Sequence, residues 1–84
     1  METAVLVNKA GEEELYGVIM VYTVNDDVTY AALIKLDENG EPLPVDVTLR
    51  ICVEGDDGID LFEIENEELY EEALSGFFAI GENL

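Results

Sequence analysis

The sequence ELYGVIMVYTVNDDVTYAALIKL, residues 14–36, contains two long apolar runs separated by the polar triplet NDD. Both runs are rich in β-branched and aromatic residues, which are typical of strands. Pairing Val24 with Val28 across the triplet also places Tyr22 opposite Tyr30, Met20 opposite Ala32 and Val18 opposite Ile34. Because the apolar positions agree at every pair, this stretch predicts an antiparallel hairpin with a three-residue loop.

The flanking sequence predicts a further strand on each side of the hairpin. TAVLVN, Thr3–Asn8, precedes it, and VDVTLRICV, Val45–Val53, follows the polar loop DENGEPLP. The second of these strands alternates strictly between apolar and other residues, as a half-buried strand does. The run Glu14–Val24 is apolar on both faces and is therefore expected inside the sheet.

The segment EGDDGID, Glu54–Asp60, places four acidic side chains and two glycines in seven residues. An EF-hand calcium loop starting at its first residue needs glycine at position six, and that position is Ile59. The segment instead predicts a tight turn, built on Asp57-Gly58 or on Asp56-Asp57, after which a fifth strand follows. Weak divalent-cation binding by the clustered carboxylates is the alternative.

A helix is predicted to close the chain. Asn66 is a favourable N-cap, and Glu67 and Glu68 follow it where the helix dipole favours acidic side chains. Apolar residues then recur at helical spacing, and Gly81 is the predicted end: Leu69, Tyr70, Ala73, Leu74, Phe77 and Phe78. The expected fold is α+β, an antiparallel β-meander of four to five strands with one C-terminal α-helix packed on one face, in a single domain of residues 1–84.

Charge limits the partners that this chain can have. It contains 21 Asp and Glu against 3 Lys and Arg, a formal net charge of −18 at pH 7. Nucleic acid and anionic membranes are repelled, whereas a basic protein is attracted. The chain has no apolar run of membrane-spanning length and no basic, cleavable start, so a cytoplasmic protein is expected.

Composition also excludes several kinds of catalytic and metal site. Histidine is absent, Ser75 is the one serine and Cys52 is the one cysteine. Ser/His triads and Cys/His dyads are excluded because they need an imidazole base, and the usual zinc sites are excluded because one thiol cannot supply their ligands. No glycine-rich phosphate loop of the Walker kind is present. We expect no enzyme and no catalytic, cofactor-binding or metal-binding residues.

The acidic residues are concentrated near the C-terminus, where residues 55–84 contain ten Asp and Glu and no Lys or Arg. Two pairs of glutamates fall at i, i+4 spacing on the predicted helix, and such like-charged pairs destabilise it slightly. The candidate acidic interaction surface comprises Glu63, Glu65, Glu67, Glu68, Glu71 and Glu72. It is either a surface for a partner or a solvated face that keeps the protein soluble.

A second candidate surface is the sheet face that the helix leaves uncovered. The predicted registers place apolar side chains on it with few charges among them, and the candidate apolar interface comprises Ile19, Val21, Leu33 and Leu61. Such a patch predicts a homodimer or a protein partner. The alternative is that the sheet coils, or that neighbouring segments fold over, far enough to cover it.

Two stretches together resemble a known family: AVLVNKAGEEELYGVIMVYTVNDDVTYAALIKLDENGEP and DLFEIENEELYEEALSGFF. They are similar to the small acidic bacterial proteins of the DUF1292 family, which includes the YrzB-like proteins. The resemblance implies a cytoplasmic bacterial protein with no assigned activity and no known catalytic residues. It adds weight to a non-enzymatic interpretation and contributes no site.

The function expected from these observations is that of a non-catalytic protein-interaction module, which binds a basic partner or associates with itself as a homodimer. The alternative is an acidic mimic of nucleic acid that inhibits a DNA-binding protein or a phage-defence nuclease. A row of carboxylates can imitate the regularly spaced phosphates of DNA.

Overall fold

The computed structural model describes residues 2–24 and 28–82, which form five strands and one helix. The hairpin loop predicted at NDD lies outside the described residues. The elements, in chain order, are β1 (Thr3–Val7), β2 (Glu13–Val24), β3 (Val28–Lys35), β4 (Thr48–Gly55), β5 (Gly58–Phe62) and α1 (Glu67–Glu82).

The strands form a single antiparallel sheet in the order β1-β2-β3-β4-β5. Each strand therefore pairs with its neighbours in sequence, as expected when short turns join consecutive strands. The predicted α+β fold, a β-meander with a C-terminal helix, is confirmed.

The β2–β3 hairpin has the predicted register over its first half. Val24 pairs with Val28, Tyr22 with Tyr30 and Met20 with Ala32. Beyond these pairs a β-bulge at Ile19 shifts the register by one residue, so that Val18 pairs with Leu33 and the predicted pairing with Ile34 is wrong. A bulge adds an unpaired residue to one strand and exchanges the faces of all residues beyond it.

The acidic EGDDGID segment is a hairpin turn, as predicted. Gly55 pairs with Gly58, so the two loop residues are Asp56 and Asp57, the second of the two predicted registers. Gly58 has φ +130°, a backbone angle that residues with a side chain rarely adopt.

Strand β4 begins three residues later than predicted. The preceding loop makes its own backbone contacts, since the Leu43 amide donates to the Lys35 carbonyl and Leu36 bridges to Pro42. Proline lacks an amide donor, and the loop resumes ladder pairing only at Thr48.

Helix α1 begins as predicted and runs one residue past its predicted end. The Asn66 side-chain oxygen accepts hydrogen bonds from the amides of Glu68, at 2.8 Å, and Leu69, at 3.3 Å. These bonds satisfy amides that the first helical turn leaves without partners. Gly81 remains helical, and α1 extends to Glu82.

Two apolar clusters hold the sheet, one on each face. The helix-side cluster lies between the sheet and α1 and is built on Tyr22, Tyr30, Ala32, Leu49 and Ala73. The inner cluster lies on the opposite face and is built on Tyr16, Ala31, Leu33 and Cys52, with Leu6, Val18 and Leu61 packed against them. Every strand of the sheet contributes to the inner cluster.

The sheet curls around the inner cluster. In a flat sheet with strands about 4.8 Å apart, β1 and β5 would lie about 19 Å apart. Residues of both strands, from Thr3 to Leu6 and from Ile59 to Leu61, instead line one cavity of about 380 Å³. This curvature buries Leu33 completely, at 0% exposure, although it lies on the face away from the helix.

Small residues on α1 allow it to approach the sheet closely. A Cβ atom on Gly76 would meet Val24 Cγ2 at 2.7 Å and Tyr22 Cε2 at 3.1 Å. Ala73, one turn earlier, is fully buried in the same contact. A glycine inside a helix is unfavourable on its own, so its presence here is explained by packing.

Candidate functional site

The structure places five of the six predicted acidic residues on the surface. The sixth, Glu72, is partly buried. Burial of the Tyr30 hydroxyl beneath the helix raises the pKa of that hydroxyl, and the charge of Glu72 raises it further. The exposed five are Glu63, Glu65, Glu67, Glu68 and Glu71.

Three of these glutamates line one cleft together with an aromatic residue. Glu65, Glu67 and Glu71 line a shallow cleft of about 410 Å³ together with Tyr70, and Ile64 and Asn66 complete its lining. This is the acidic cleft. Tyr70 is exposed and offers an apolar ring surface, so the cleft can bind a cation by charge and by stacking on the ring.

The remaining helical glutamates project from a different side of α1. Glu68 directly follows Glu67, and Glu72 directly follows Glu71. One residue corresponds to a rotation of about 100° around the helix axis. The predicted acidic surface is therefore divided: three of its residues line the acidic cleft, whereas Glu63, Glu68 and Glu72 do not.

An apolar groove continues from the acidic cleft along the same flank of the helix. It lies between α1 and the segment that leads into β4, encloses about 370 Å³, and is lined by Asp46, Val47, Leu49, Tyr70, Leu74, Phe77 and Phe78. Phe78 is 60% exposed, and Tyr70 belongs to both the groove and the cleft.

The groove was not predicted from the sequence, where helical periodicity indicated only a helix packed on one face of the sheet. One signal was present in the sequence. The apolar residues of α1, from Leu69 to Phe78, cover about half of the helix circumference at 100° per residue, which is wider than a single contact with a sheet requires. Ala73 and Gly76 face the sheet, and Tyr70, Leu74 and Phe78 lie beyond its edge.

The structure does not bring the four residues of the predicted apolar interface together on the surface. Ile19, at the bulge, and Val21 are exposed, whereas Leu33 is fully buried and Leu61 packs against the inner cluster. Curvature of the sheet, the alternative stated above, accounts for this burial. Leu33 is therefore not available to a partner.

A larger cavity lies at one end of the curled sheet. It encloses about 820 Å³, and its lining includes Glu2, Val21, Cys52 and Glu54. Burial, reinforced by the charge of Glu54, raises the pKa of the Cys52 thiol and keeps it protonated at neutral pH. A protonated thiol is a poor nucleophile, so the cavity offers two carboxylates without an activated group.

None of the three basic residues lines the acidic cleft. Lys35 forms an ion pair with Glu14, whose hydrogen bond and charge raise the pKa of the lysine. Arg50 donates from Nη1 to the Leu49 carbonyl oxygen at 3.1 Å, and Lys9 is exposed in the turn after β1. Residues 55–84 contain no lysine or arginine, so no basic residue of their own neutralises the cleft.

A family model described as a protein of unknown function, DUF1292, matches residues 10–80. The chain belongs to the DUF1292 family. The resemblance predicted from the sequence is thereby confirmed. No curated protein and no solved structure matches the chain.

The matched part of this DUF1292 protein contains both surfaces of interest. It begins after β1 and includes β2 to β5 and most of α1, and thus every residue of the acidic cleft and of the apolar groove. The family description assigns no activity, so the chemistry of these surfaces has to be inferred from the residues themselves.

Two further features of the DUF1292 structure concern metals and membranes. Among residues 2–24 and 28–82, no group of three or more acidic or cysteine side chains is arranged to hold a metal ion. No helix in that part of the chain has the length and apolarity needed to cross a membrane.

Proposed function

We propose that this DUF1292 protein is a non-catalytic protein-interaction module whose acidic cleft binds a basic partner protein. One observation carries the proposal: Glu65, Glu67 and Glu71 line one cleft together with the exposed Tyr70. Carboxylates held around an aromatic ring are complementary to lysine and arginine side chains, which combine a positive charge with an apolar stem.

The electrostatics of the free protein favour such a partner. Glu67 and Glu71 lie one helical turn apart, and like charges at this spacing destabilise a helix by a few tenths of a kcal/mol. A bound cation removes this repulsion. The net charge of −18 also accelerates encounter with a basic protein at low ionic strength.

The absence of histidine supports the non-catalytic part of the proposal. Histidine is the side chain that most often serves as a general base. The one thiol is held in its protonated form, in which it is a poor nucleophile.

A second candidate function is mimicry of nucleic acid, with a DNA-binding protein or a phage-defence nuclease as its target. It is supported by the two i, i+4 glutamate pairs, Glu67 with Glu71 and Glu68 with Glu72, on adjacent sides of α1. The partial burial of Glu72 weakens the second pair as an imitation of exposed phosphates.

Capture from the source cell at low and at high salt tests the proposal. The variant Glu65→Gln/Glu67→Gln/Glu71→Gln removes three charges from the cleft, and Glu12→Gln/Glu13→Gln/Glu41→Gln removes three exposed charges elsewhere. We expect basic proteins to be captured at low salt, to be released at high salt and to be lost with the first variant only.

Equal capture by the two variants would contradict the proposal, since it would show that net charge alone matters. Capture of DNA-binding proteins that duplex DNA displaces would support mimicry instead. Self-association as a homodimer stays a prediction, and sedimentation of the purified protein at low and high salt tests it.

A further inference from the structure

The apolar groove and the acidic cleft form one continuous surface along α1. Tyr70 lines both of them; Glu67 lies one turn before it, Glu71 directly follows it, and Leu74 and Phe78 lie farther toward the C-terminus. From Glu67 to Phe78 the helix rises about 16 Å, or roughly three turns. The surface is thus acidic at one end and apolar at the other.

The apolar end offers anchoring positions to a partner. Leu74 and Phe78 are large side chains exposed on one stripe of the helix, and Val47 and Leu49 form the opposite wall of the groove. Large side chains that project beside a concave apolar wall resemble the centres of protein interfaces, where aromatic anchors carry most of the binding energy.

Charge determines which occupant fits. A second copy of this chain would bring another −18 charge against the acidic end, and repulsion opposes that pairing. An uncharged apolar segment would leave the cleft carboxylates unpaired. A segment with apolar side chains at one end and lysine or arginine at the other satisfies both halves of the surface.

We infer that the groove and the cleft together dock an amphipathic helix of the basic partner. Its apolar side chains lie against Leu74 and Phe78, and its basic side chains reach Glu67 and Glu71. The inference rests on the proposed function and adds to it the docking position and the kind of segment bound. A helix lying in a groove of about three turns is a recurring mode of peptide recognition.

Two fluorescent peptides of about 18 residues test the inference. In the first, leucines repeat at helical spacing and lysines occupy the other positions; in the second, the same residues are permuted so that the leucines share no face. Fluorescence anisotropy measures the affinity of each peptide for the wild type and for Leu74→Ala/Phe78→Ala. The control Val5→Ala/Val7→Ala truncates two exposed apolar side chains on β1, outside the groove.

We expect the groove variant to bind the amphipathic peptide about tenfold more weakly than the wild type does. The permuted peptide should bind to the variant and to the wild type with the same affinity. The β1 control should change neither affinity. If the double variant does not fold, as judged by circular dichroism, Phe78→Ala alone provides the test, because this side chain is 60% exposed and its truncation leaves the core intact.

Other outcomes overturn the inference in distinguishable ways. If the groove variant binds both peptides as the wild type does, while Glu65→Gln/Glu67→Gln/Glu71→Gln weakens both, the inference fails and the proposed function stands. If neither variant changes any affinity, both fail. If the free protein is a dimer that Leu74→Ala/Phe78→Ala dissociates, the groove belongs to a second copy and the inference fails.

Discussion

The Tyr22 hydroxyl donates a hydrogen bond of 2.5 Å to the Ala73 carbonyl oxygen, joining residues that are 51 positions apart in the chain. The bond links the middle of the sheet to the middle of α1, and both residues are buried in the helix-side cluster. It therefore fixes the position of the helix whose outer flank carries the acidic cleft and the apolar groove.

Removing this hydroxyl should destabilise the protein. Tyr22→Phe deletes the donor and keeps the ring, and a buried hydrogen bond of this kind contributes about 1 kcal/mol to the free energy of unfolding. Urea denaturation measures the change. The control is Tyr70→Phe, whose ring is exposed, and it should cost close to nothing. Equal effects of the two substitutions would contradict the role assigned to the bond.

Alkaline pH should unfold the protein through the same residue. Burial, with smaller contributions from Tyr30 and Tyr70, raises the pKa of Tyr22 from 10.0 to about 12. Between these values the unfolded chain loses the phenolic proton of Tyr22, whereas the folded chain keeps it. The contribution of Tyr22 to the free energy of unfolding is therefore fully present below pH 10 and is lost as the pH rises toward 12.

A shift of this size corresponds to a loss on the order of a few kcal/mol in the free energy of unfolding. Urea denaturation at several alkaline pH values should show this loss in the wild type and a smaller one in Tyr22→Phe. An identical pH dependence of the two proteins would show that Tyr22 titrates as an exposed tyrosine does.

Two glycines of α1 should respond in opposite directions to alanine. Gly76→Ala places a Cβ atom 2.7 Å from Val24 Cγ2, so the helix has to move away from the sheet and the protein is destabilised, by about 1–3 kcal/mol for an overpacked contact. At Gly81 nothing lies within 4 Å of the added atom, and alanine should stabilise the helix by up to about 1 kcal/mol. Thermal melting of the two variants compares them directly, and stabilisation by Gly76→Ala would contradict the close packing.

Part of this architecture was accessible from the sequence because it follows from local patterns. Apolar periodicity predicted the strands and the helix, and the Asn66 cap and the acidic hairpin turn followed from residue type. The bulge at Ile19 was not predictable, because residues 15–21 are apolar or small throughout and a register shift there leaves the pattern unchanged.

The candidate site was predicted less completely, for a different physical reason. The sequence identified the acidic side chains. How far the sheet covers α1 depends on tertiary packing, so helical periodicity alone did not indicate that Leu74 and Phe78 line a groove. Leu33 was assigned to the surface because strand periodicity gives the face of a residue and carries no information about the curvature of the sheet.

Curvature of the sheet makes a prediction of its own. Leu33→Ala should cost about 2–5 kcal/mol, because it opens a cavity in the closed inner cluster. Val21 lies on the same face and is 48% exposed, so Val21→Ala should cost much less. Urea denaturation distinguishes the two. Similar small costs would indicate an open face and would restore Leu33 as a surface residue.

The most direct test of the account is a nuclear magnetic resonance titration of the isotope-labelled protein with the amphipathic lysine–leucine peptide. Binding on the outer flank of α1 predicts that the amide resonances of residues 64–78 and 46–49 shift, and that those of β1 stay in place. Shifts confined to β1 and β5, or spread evenly over all acidic segments, would contradict the claim that this flank is the binding surface.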